Sequence, residues 1–243
     1  MTAPDQPRSG TFITIEGPEG AGKTTQAELL RRHLAGLGRQ AVLVREPGGT
    51  PLGEEIRAIL LEHRQGGIGP RADALLFNAA RAQLVEDVIR PALLRGETVI
   101  STRFSDSTLA YQGHGLGLPL DALREVEAFA TGGIVPDRTV LLDLAVEDGL
   151  SRKAVAERTR FETAYDLSFH QRVRAGFIAL AKGEPERFLV VDAAAEPATV
   201  FNRILDGLGL GPGPSLGPGL GSADRPAGNA APEPKPGSLR IQQ

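Results

Sequence analysis

One segment near the start of the chain constrains the fold more than any other: Gly17-Pro-Glu-Gly-Ala-Gly-Lys23-Thr24. It matches the pattern G-x-x-x-x-G-K-[ST], in which small residues let successive backbone N–H groups face phosphate oxygens. In such a loop the lysine reaches the β- and γ-phosphates and the threonine hydroxyl holds Mg2+. The residues predicted to bind the phosphates of ATP are Gly17, Pro18, Glu19, Gly20, Ala21, Gly22, Lys23 and Thr24.

The sequence on both sides of this loop predicts the structure that such a loop needs. Residues 11–16 are rich in β-branched residues, which favours a strand. After the loop, apolar residues recur at helical spacing, at Ala27, Leu30, Leu34 and Leu37. A strand, a glycine loop and a helix in this order place bound phosphate at a helix N-terminus, where the helix dipole favours an anion.

The composition excludes several classes of protein. A chain of 243 residues with 41% hydrophobic residues is long enough for one α/β domain with a sizeable core. A formal net charge of −3 argues against a general binder of nucleic acid or membranes, and the absence of cysteine excludes disulfides and thiolate metal sites. We find neither a signal-peptide core nor an apolar run of about 18 residues, so we expect a cytoplasmic protein without a membrane span.

Short apolar runs alternate with helical patterns between residues 11 and 208. This alternation predicts an α/β domain with a five-stranded parallel sheet and helices on both faces. The predicted strands are residues 11–16, 41–44, 99–101, 138–144 and 188–192. The later predicted helices are residues 71–94, 121–130, 146–157, 169–181 and 197–208. We expect flexible ends at residues 1–10 and 209–243, because the Gly/Pro/Ala-rich tail has little apolar surface to bury.

Several segments, taken together and in order, resemble the bacterial type of the thymidylate kinase family. They span residues 11 to 208 and comprise the loop at 17–25, Arg-Glu-Pro-Gly-Gly-Thr at 45–50, Leu-Leu-Phe-Asn-Ala-Ala-Arg at 75–81, Arg103 with Ala-Tyr-Gln-Gly at 110–113, Pro-Asp at 136–137 and Phe-His-Gln-Arg-Val at 169–173. The resemblance implies the P-loop nucleoside-monophosphate-kinase fold, with a mobile lid near residues 150–164. It further implies phosphoryl transfer from ATP to dTMP, giving dTDP for dTTP biosynthesis, with Mg2+ as cofactor. A homodimer is also implied, with no nucleic-acid or membrane partner.

This reaction brings two polyanions together, so cationic groups must offset their repulsion. The acceptor phosphate has a second pKa of about 6 and is mostly ionised at pH 7, so no strong general base is needed. Arg45 and Arg103 each follow a predicted strand, at the sheet edge where α/β proteins bind ligands. Because a guanidinium matches phosphate oxygens, we predict that both hold the acceptor phosphate.

The resemblance also implies a pocket for the thymine base. Phe77 and Arg81 are four residues apart and share one helical face, so the ring is expected to stack on the base while the guanidinium contacts a carbonyl oxygen. Ser107 and Gln112 resemble residues that contact the edge of the base. Tyr111 resembles the ring that crowds the sugar and disfavours a 2′-hydroxyl.

Two further sets of residues are assigned by the resemblance. Glu19 corresponds to an acid that contacts the acceptor's sugar or the reaction centre, and lid arginines compensate for the lack of an arginine in the loop. We expect Arg152 against the adenine, and Arg158 or Arg160 at the transferring phosphoryl group. The predicted catalytic set is Lys23, Glu19, Arg103, Arg158 and Arg160.

Two positions depart from the family's pattern. Thr102 and Thr159 each precede an arginine where an aspartate is usual. A neutral hydroxyl is a weaker Mg2+ ligand than a carboxylate, so a catalytically impaired nucleotide-binding protein is one alternative that we keep. The other is a different nucleoside-monophosphate kinase or a deoxynucleoside kinase.

Overall fold

The computed structural model describes residues 10–61, 67–152 and 159–211, and a parallel sheet lies at its centre. The strands are β1 (Phe12–Glu16), β2 (Ala41–Arg45), β3 (Thr98–Thr102), β4 (Arg138–Asp143) and β5 (Phe188–Asp192). Their order is β2-β3-β1-β4-β5, and every neighbouring pair is parallel. The predicted five-stranded parallel sheet is therefore confirmed.

Helices connect the strands and cover both faces of the sheet. They are α1 (Lys23–Gly36), α2 (Pro51–Leu61), α3 (Pro70–Leu84), α4 (Arg90–Leu94), α5 (Ser105–Thr108), α6 (Leu120–Thr131), α7 (Val146–Ser151), α8 (Arg160–Ala164), α9 (Leu167–Gly183) and α10 (Pro197–Leu208). Two π-helical segments, Val85–Ile89 and Leu109–Gly115, join consecutive helices. No helix within the described ranges is long and apolar enough to cross a membrane.

The alternation of side chains along β1 explains why helices cover both faces. Ile13 and Ile15 belong to an apolar cluster with residues of α1 and α10. Phe12, which points to the opposite face, packs with residues of α4 and the π-helical segment before it. All residues of β1 are buried, as expected for the central strand of a sheet covered on both sides.

The long helical stretch predicted at residues 71–94 is present but is not one regular α-helix. It runs through α3, the π-helical segment Val85–Ile89 and α4. Pro91 lies in the first turn of α4, where a missing N–H group costs little. The stretch stays continuous because the wide π-helical turn accommodates the change of packing between its halves.

Helix α2 was not predicted, although the sequence contains a signal for its start. The hydroxyl of Thr50 accepts a hydrogen bond from the Gly53 backbone N–H at 3.0 Å, and Pro51 is the first helical residue. A threonine cap followed by proline is a typical helix start. This helix lies between β2 and α3 and contributes to the site described below.

The described part of the chain extends slightly past the predicted domain end. Leu210 packs against the core cluster of α1 and α10, and its carbonyl accepts a hydrogen bond of 3.1 Å from Nε2 of His33. Residues 1–9, 62–66, 153–158 and 212–243 lie outside the described residues. Most of the two predicted flexible ends and part of the predicted lid fall there.

Candidate active site

A cleft of about 550 Å³ opens at the carboxyl ends of β1, β2 and β3. Because the strands are parallel, the loops that follow them converge at this edge. The structure brings twelve of the predicted site residues to the wall of the cleft: Glu19, Gly20, Gly22, Lys23, Thr24, Arg45, Phe77, Arg103, Ser107, Tyr111, Gln112 and Arg152. One cavity thus joins the predicted phosphate loop to the predicted acceptor pocket.

The phosphate loop has the geometry that its sequence predicts. It joins β1 to α1, and Gly22 caps the helix in the left-handed conformation, at φ 87°, which glycine adopts without strain. Lys23 begins α1, and its Nζ donates hydrogen bonds to the carbonyls of Gly17 at 2.9 Å and Pro18 at 2.6 Å. The first turn of α1 and the lysine therefore form a cationic end to the cleft, with the hydroxyl of Thr24 beside it.

Three arginines line the wall that faces the phosphate loop. Arg45 lies at the end of β2, Arg57 on α2 and Arg103 after β3. Burial lowers the pKa of Arg57, and repulsion from Arg45 and Arg103 lowers it further. Arg45 pairs with Glu54 at 3.0 Å and Arg103 with Glu19 at 2.8 Å, so the wall presents three guanidinium groups, two of them with a carboxylate partner, that suit an anion. Arg57 is not among the predicted site residues, because helix α2 that carries it is not predicted from the sequence.

Arg103, Glu19 and Tyr111 form a hydrogen-bonded group across the cleft. Nη2 of Arg103 donates to Oε1 of Glu19 at 2.8 Å, and the Tyr111 hydroxyl donates to the same oxygen at 2.8 Å. The guanidinium also lies over the tyrosine ring, 4.9 Å from its centroid. Glu19 therefore forms hydrogen bonds with two residues of the predicted acceptor pocket, although it belongs to the phosphate loop.

Glu16, which no sequence motif marks as a site residue, holds the turn that carries Arg103. Arg103 has a φ of 72°, which is unfavourable for a residue with a side chain. Beneath it, the buried carboxylate of Glu16 accepts hydrogen bonds from the Phe104 N–H at 2.7 Å and the Ser107 hydroxyl at 2.6 Å. Burial, followed by the charge of Asp106, raises the pKa of Glu16 to about 7. These contacts stabilise the strained backbone of Arg103.

Aromatic rings line a further part of the predicted acceptor pocket. Phe77 on α3 and Tyr111 both contact Phe161 on α8, with ring centroids 6.0 Å and 5.7 Å apart. Gln112, which follows Tyr111, lines the same region. An apolar slot with a planar amide at its edge suits a flat heterocyclic base.

Arg81 does not line the cleft, in contrast to its predicted contact with the base. Its side chain is 1% exposed and lies below the wall, where it pairs with Glu46 at 2.8 Å. It also donates to the Thr108 hydroxyl at 3.0 Å and is 3.7 Å from Glu127. These buried oxygens hold the guanidinium in the layer beneath Phe77.

The structure describes two of the three arginines of the predicted lid. Arg152 lines the cleft and donates to the carbonyls of Ala193 and Ala194, at 3.2 Å and 3.4 Å, in the loop after β5. Arg158 lies outside the described residues. Arg160 is buried and pairs with Asp73 on α3, so it is not exposed at the predicted position beside the phosphoryl group.

The two unusual threonines are both at the cleft. Thr102 ends β3, and Thr159 precedes α8. Among the residues that the structure describes, no three histidine, aspartate or glutamate side chains are grouped as a metal site. A cation at this cleft therefore needs ligands from bound phosphates and water in addition to protein oxygens.

Comparison with known proteins identifies relatives along most of the chain. Residues 15–204 match the model of the family described as thymidylate kinase. A thymidylate kinase of Geobacter sp. strain M21 is 51% identical over 194 residues, which cover 77% of this chain and 86% of the relative. That of Deinococcus radiodurans is 54% identical over 185 residues, covering 76% of this chain and 89% of the relative.

A solved structure has the same fold. The crystal structure of thymidylate kinase from Ehrlichia chaffeensis matches with a TM-score of 0.67 and 32% sequence identity. The match covers 82% of this chain and 98% of that chain. The sequence and the architecture thus point to the same family.

Proposed function

The chain belongs to the thymidylate kinase family, and we propose that it transfers the γ-phosphoryl group of ATP to dTMP in the cleft described above. One observation carries this proposal. A single cavity is lined both by Lys23 with the first turn of α1 and by Arg45, Arg57 and Arg103. Cationic groups from two parts of the fold that line one cavity suit two phosphate groups that meet within it.

The proposed mechanism consists of positioning and charge stabilisation. The phosphate loop and Lys23 hold the phosphates of ATP, while the arginine cluster holds the phosphate of dTMP. Because that acceptor phosphate is ionised at pH 7, the side chains need not remove a proton from it. The residues instead orient donor and acceptor and offset the repulsion between them.

The base and sugar of dTMP are proposed to occupy the aromatic end of the cleft. The ring of Phe77 stacks on the base, and Ser107 and Gln112 contact its edge. Tyr111 is held in place by its hydrogen bond to Glu19 at 2.8 Å and crowds the 2′ position of the sugar. Arg81 supports this wall from below through its pairing with Glu46.

Mg2+ is the proposed cofactor, and the oxygen groups of the cleft fit it. Thr24 offers a hydroxyl, Glu19 a carboxylate and Thr102 a second hydroxyl, all on the cleft wall. Mg2+ prefers such oxygen ligands and commonly keeps several waters and substrate phosphates in its shell. When bound, the ion neutralises negative charge on the transferring phosphates.

The three arginines of the predicted lid have proposed roles on different sides of the cleft. Arg152 contacts the loop after β5, which supports a position beside the adenine. Arg158 is proposed to reach the transferring phosphoryl group. We propose for Arg160 a role on the acceptor side, because its guanidinium is buried against Asp73.

The molecule is further proposed to be a cytoplasmic homodimer, with the kinase domain at residues 11–208, the lid near 150–164 and flexible ends. Leu75 on α3 is 57% exposed and Phe129 on α6 is 91% exposed. These two helices pack against each other, so their outer faces offer apolar surface for a second copy.

Substitutions on the two sides of the cleft test the proposed roles separately. Arg57→Ala is expected to raise the KM for dTMP about tenfold or more while the KM for ATP changes by less than about twofold, because a charge-assisted contact to one phosphate is lost.

Lys23→Ala is expected to abolish turnover, as measured by coupled ADP release. Arg39→Ala, at an exposed arginine outside the cleft, is the control. An equal rise in both KM values, or near-normal turnover of Lys23→Ala, would contradict the proposal.

A further inference from the structure

Gln112 lines the cleft, and a buried side chain holds its amide group in place. It lies on the π-helical segment Leu109–Gly115 and is 1% exposed. Its Nε2 donates a hydrogen bond of 2.8 Å to Oδ2 of Asp73, a residue of α3 with no exposed surface. A carboxylate offers only acceptors, so the NH2 end of the amide must be the end that faces Asp73.

Asp73 is in turn held by Arg160. The second carboxylate oxygen of Asp73 accepts a hydrogen bond from Nη2 of this arginine, which is 6% exposed. The guanidinium also lies over the ring of Phe161, 4.7 Å from its centroid. Both oxygens of Asp73 are therefore engaged, one by each neighbour, and the carboxylate has little freedom to turn.

This arrangement fixes which atom of Gln112 is available to a ligand. Because Nε2 is directed at Asp73, the other end of the planar amide is the acceptor Oε1. Within residues 10–61, 67–152 and 159–211 no hydrogen bond uses that oxygen, and Gln112 is part of the cleft wall. The amide therefore offers an acceptor, and not a donor, to the edge of a bound base.

An acceptor at this position distinguishes between pyrimidines. Thymine and uracil carry an N–H donor at N3, between two carbonyl oxygens. Cytosine has a lone pair at N3, which repels the amide oxygen and leaves both groups without a partner. A site built to accept from a donor rejects an analogue that lacks it, because its own polar group is then unpaired.

We propose that Asp73, anchored by Arg160, is a specificity-determining positioning residue that holds the oxygen of Gln112 toward N3 of the base and so excludes cytosine nucleotides. This inference rests on the proposed function, because it requires a pyrimidine beside Gln112. The inference goes beyond the proposed function because it assigns the choice of base to a carboxylate that does not line the cleft.

The variant Asp73→Asn reverses the hydrogen bonding in a predictable way. Arg160 is a donor and takes the single side-chain oxygen of the new asparagine. The asparagine then presents NH2 to Gln112, whose amide turns so that its oxygen accepts and its nitrogen faces the cleft. A donor at this position matches cytosine and opposes thymine.

The test compares kcat/KM for dTMP, dUMP and dCMP in the wild type and in Asp73→Asn. We expect the ratio of dTMP to dCMP to fall at least tenfold in the variant, with a rise in the KM for dTMP. The ratio of dTMP to dUMP should stay within about twofold, because both bases carry the same N3–H. A parallel change for all three substrates, or unchanged ratios throughout, would overturn the inference.

Two further variants keep the test decisive. Arg160→Lys retains a cationic donor for Asp73, so the ratio of dTMP to dCMP should remain close to that of the wild type. If Asp73→Asn does not fold, Asp73→Val/Arg160→Met replaces the buried pair by apolar groups, a change that is often tolerated. The Gln112 amide then has no fixed orientation, and the ratio should again fall; an unchanged ratio would refute the positioning role.

Failure of this inference is distinguishable from failure of the proposed function. Wild-type protein that does not phosphorylate dTMP would refute the proposed function. Wild-type protein that prefers dTMP, together with an Asp73→Asn variant that keeps the same preference over dCMP, would refute only the inference. Dissociation constants for dTMP and dCMP, measured by calorimetry without ATP, give the same comparison independently of turnover.

Discussion

At the scale of single residues, a cluster of charges lies buried behind the acceptor side of the cleft. Arg81, 1% exposed, is 2.8 Å from Glu46 and 3.7 Å from Glu127. One guanidinium cannot fully stabilise two buried carboxylates. Burial accordingly raises the pKa of Glu127 to about 8, although the charge of Arg81 opposes this rise.

The raised pKa of Glu127 predicts how stability depends on pH. Because the folded state binds this proton more tightly than the unfolded state, the free energy of unfolding should fall as pH rises from about 4.5 to about 8, by up to about 1.4 kcal/mol per pH unit. The raised pKa of Glu16 adds a fall in the same direction only up to about pH 7. Burial also raises the pKa of Glu46, so a substitution at Glu127 is needed to isolate the part of the decrease that belongs to Glu127.

Glu127→Gln should make the decrease in the free energy of unfolding between pH 7 and 8 smaller than in the wild type, because a neutral amide does not titrate. Urea unfolding at half-unit steps from pH 5 to 8.5 measures it. Glu125→Gln, at an exposed position on the same helix, is the control and should leave the pH profile unchanged. A Glu127→Gln profile that parallels the wild type above pH 7 would contradict the assigned cause.

The sequence predicts the site residues that belong to a local motif. It does not predict the residues whose role depends on contacts with positions far away in the chain. Lys23 and Thr24 follow from the loop motif alone. Glu16 and Asp73 act through hydrogen bonds to residues 91 and 39 positions away, and no local pattern encodes these. Arg81 was assigned to the base because its spacing from Phe77 is correct, but spacing does not reveal which carboxylates surround a side chain.

At the scale of elements, the phosphate loop and the base of the predicted lid are in direct contact. A Cβ atom added to Gly149 on α7 would overlap the carbonyl oxygen of Glu19, and one added to Gly20 would overlap the carbonyl of Gly149. Two glycines therefore allow the backbones of α7 and the loop to approach closely. Movement of α7 should displace the loop that holds phosphate.

Gly149→Ala tests this contact. The added methyl group should push the loop from its position and raise the KM for ATP about tenfold, since misplacement by an ångström is costly for phosphate contacts. Gly36→Ala, in α1, adds the same methyl group where no atom lies within 4 Å, and should leave the KM for ATP unchanged. Equal KM values for ATP in the two variants would show that the loop accommodates the added methyl group without any effect on ATP, and would contradict the prediction.

Elements were predictable where hydrophobic pattern and flanking residues agree. All five strands contain short apolar or β-branched runs that the sequence predicts, although β2 and β5 at the edges of the sheet are only partly buried. Helix α2 was overlooked although Thr50 and Pro51 mark its start. The π-helical segments Val85–Ile89 and Leu109–Gly115 were not predicted, because a wide turn arises from tertiary packing rather than from the helical period of the sequence.

At the scale of the whole molecule, the strand order assembles the site. Alternating strands and helices predict a parallel sheet, but several strand orders satisfy that alternation. In the observed order β1 lies between β3 and β4, so the phosphate loop after β1 is beside Arg103 after β3. The family resemblance, rather than periodicity, allowed the sequence to predict that these residues meet.

The folded unit includes residues beyond the last helix. Leu210 packs on the core and its carbonyl is bonded to His33. A chain shortened after Gly211 should keep its melting temperature within about 1 °C, whereas one shortened after Leu208 should melt about 4 °C lower, because it loses a partly buried leucine. Calorimetry of both chains measures this, and equal melting temperatures would place the end of the unit before Gly209.

The measurement that tests the central claim most directly is ADP release from ATP and Mg2+ with a panel of nucleoside monophosphates at equal concentration. If one cleft holds ATP beside a thymine pocket, release should be fastest with dTMP, slower with dUMP and near background with dCMP, dAMP, dGMP and AMP. Faster release with any purine monophosphate would contradict the assigned pocket. Binding of ATP and dTMP without release would indicate a nucleotide-binding protein and contradict the assigned catalysis.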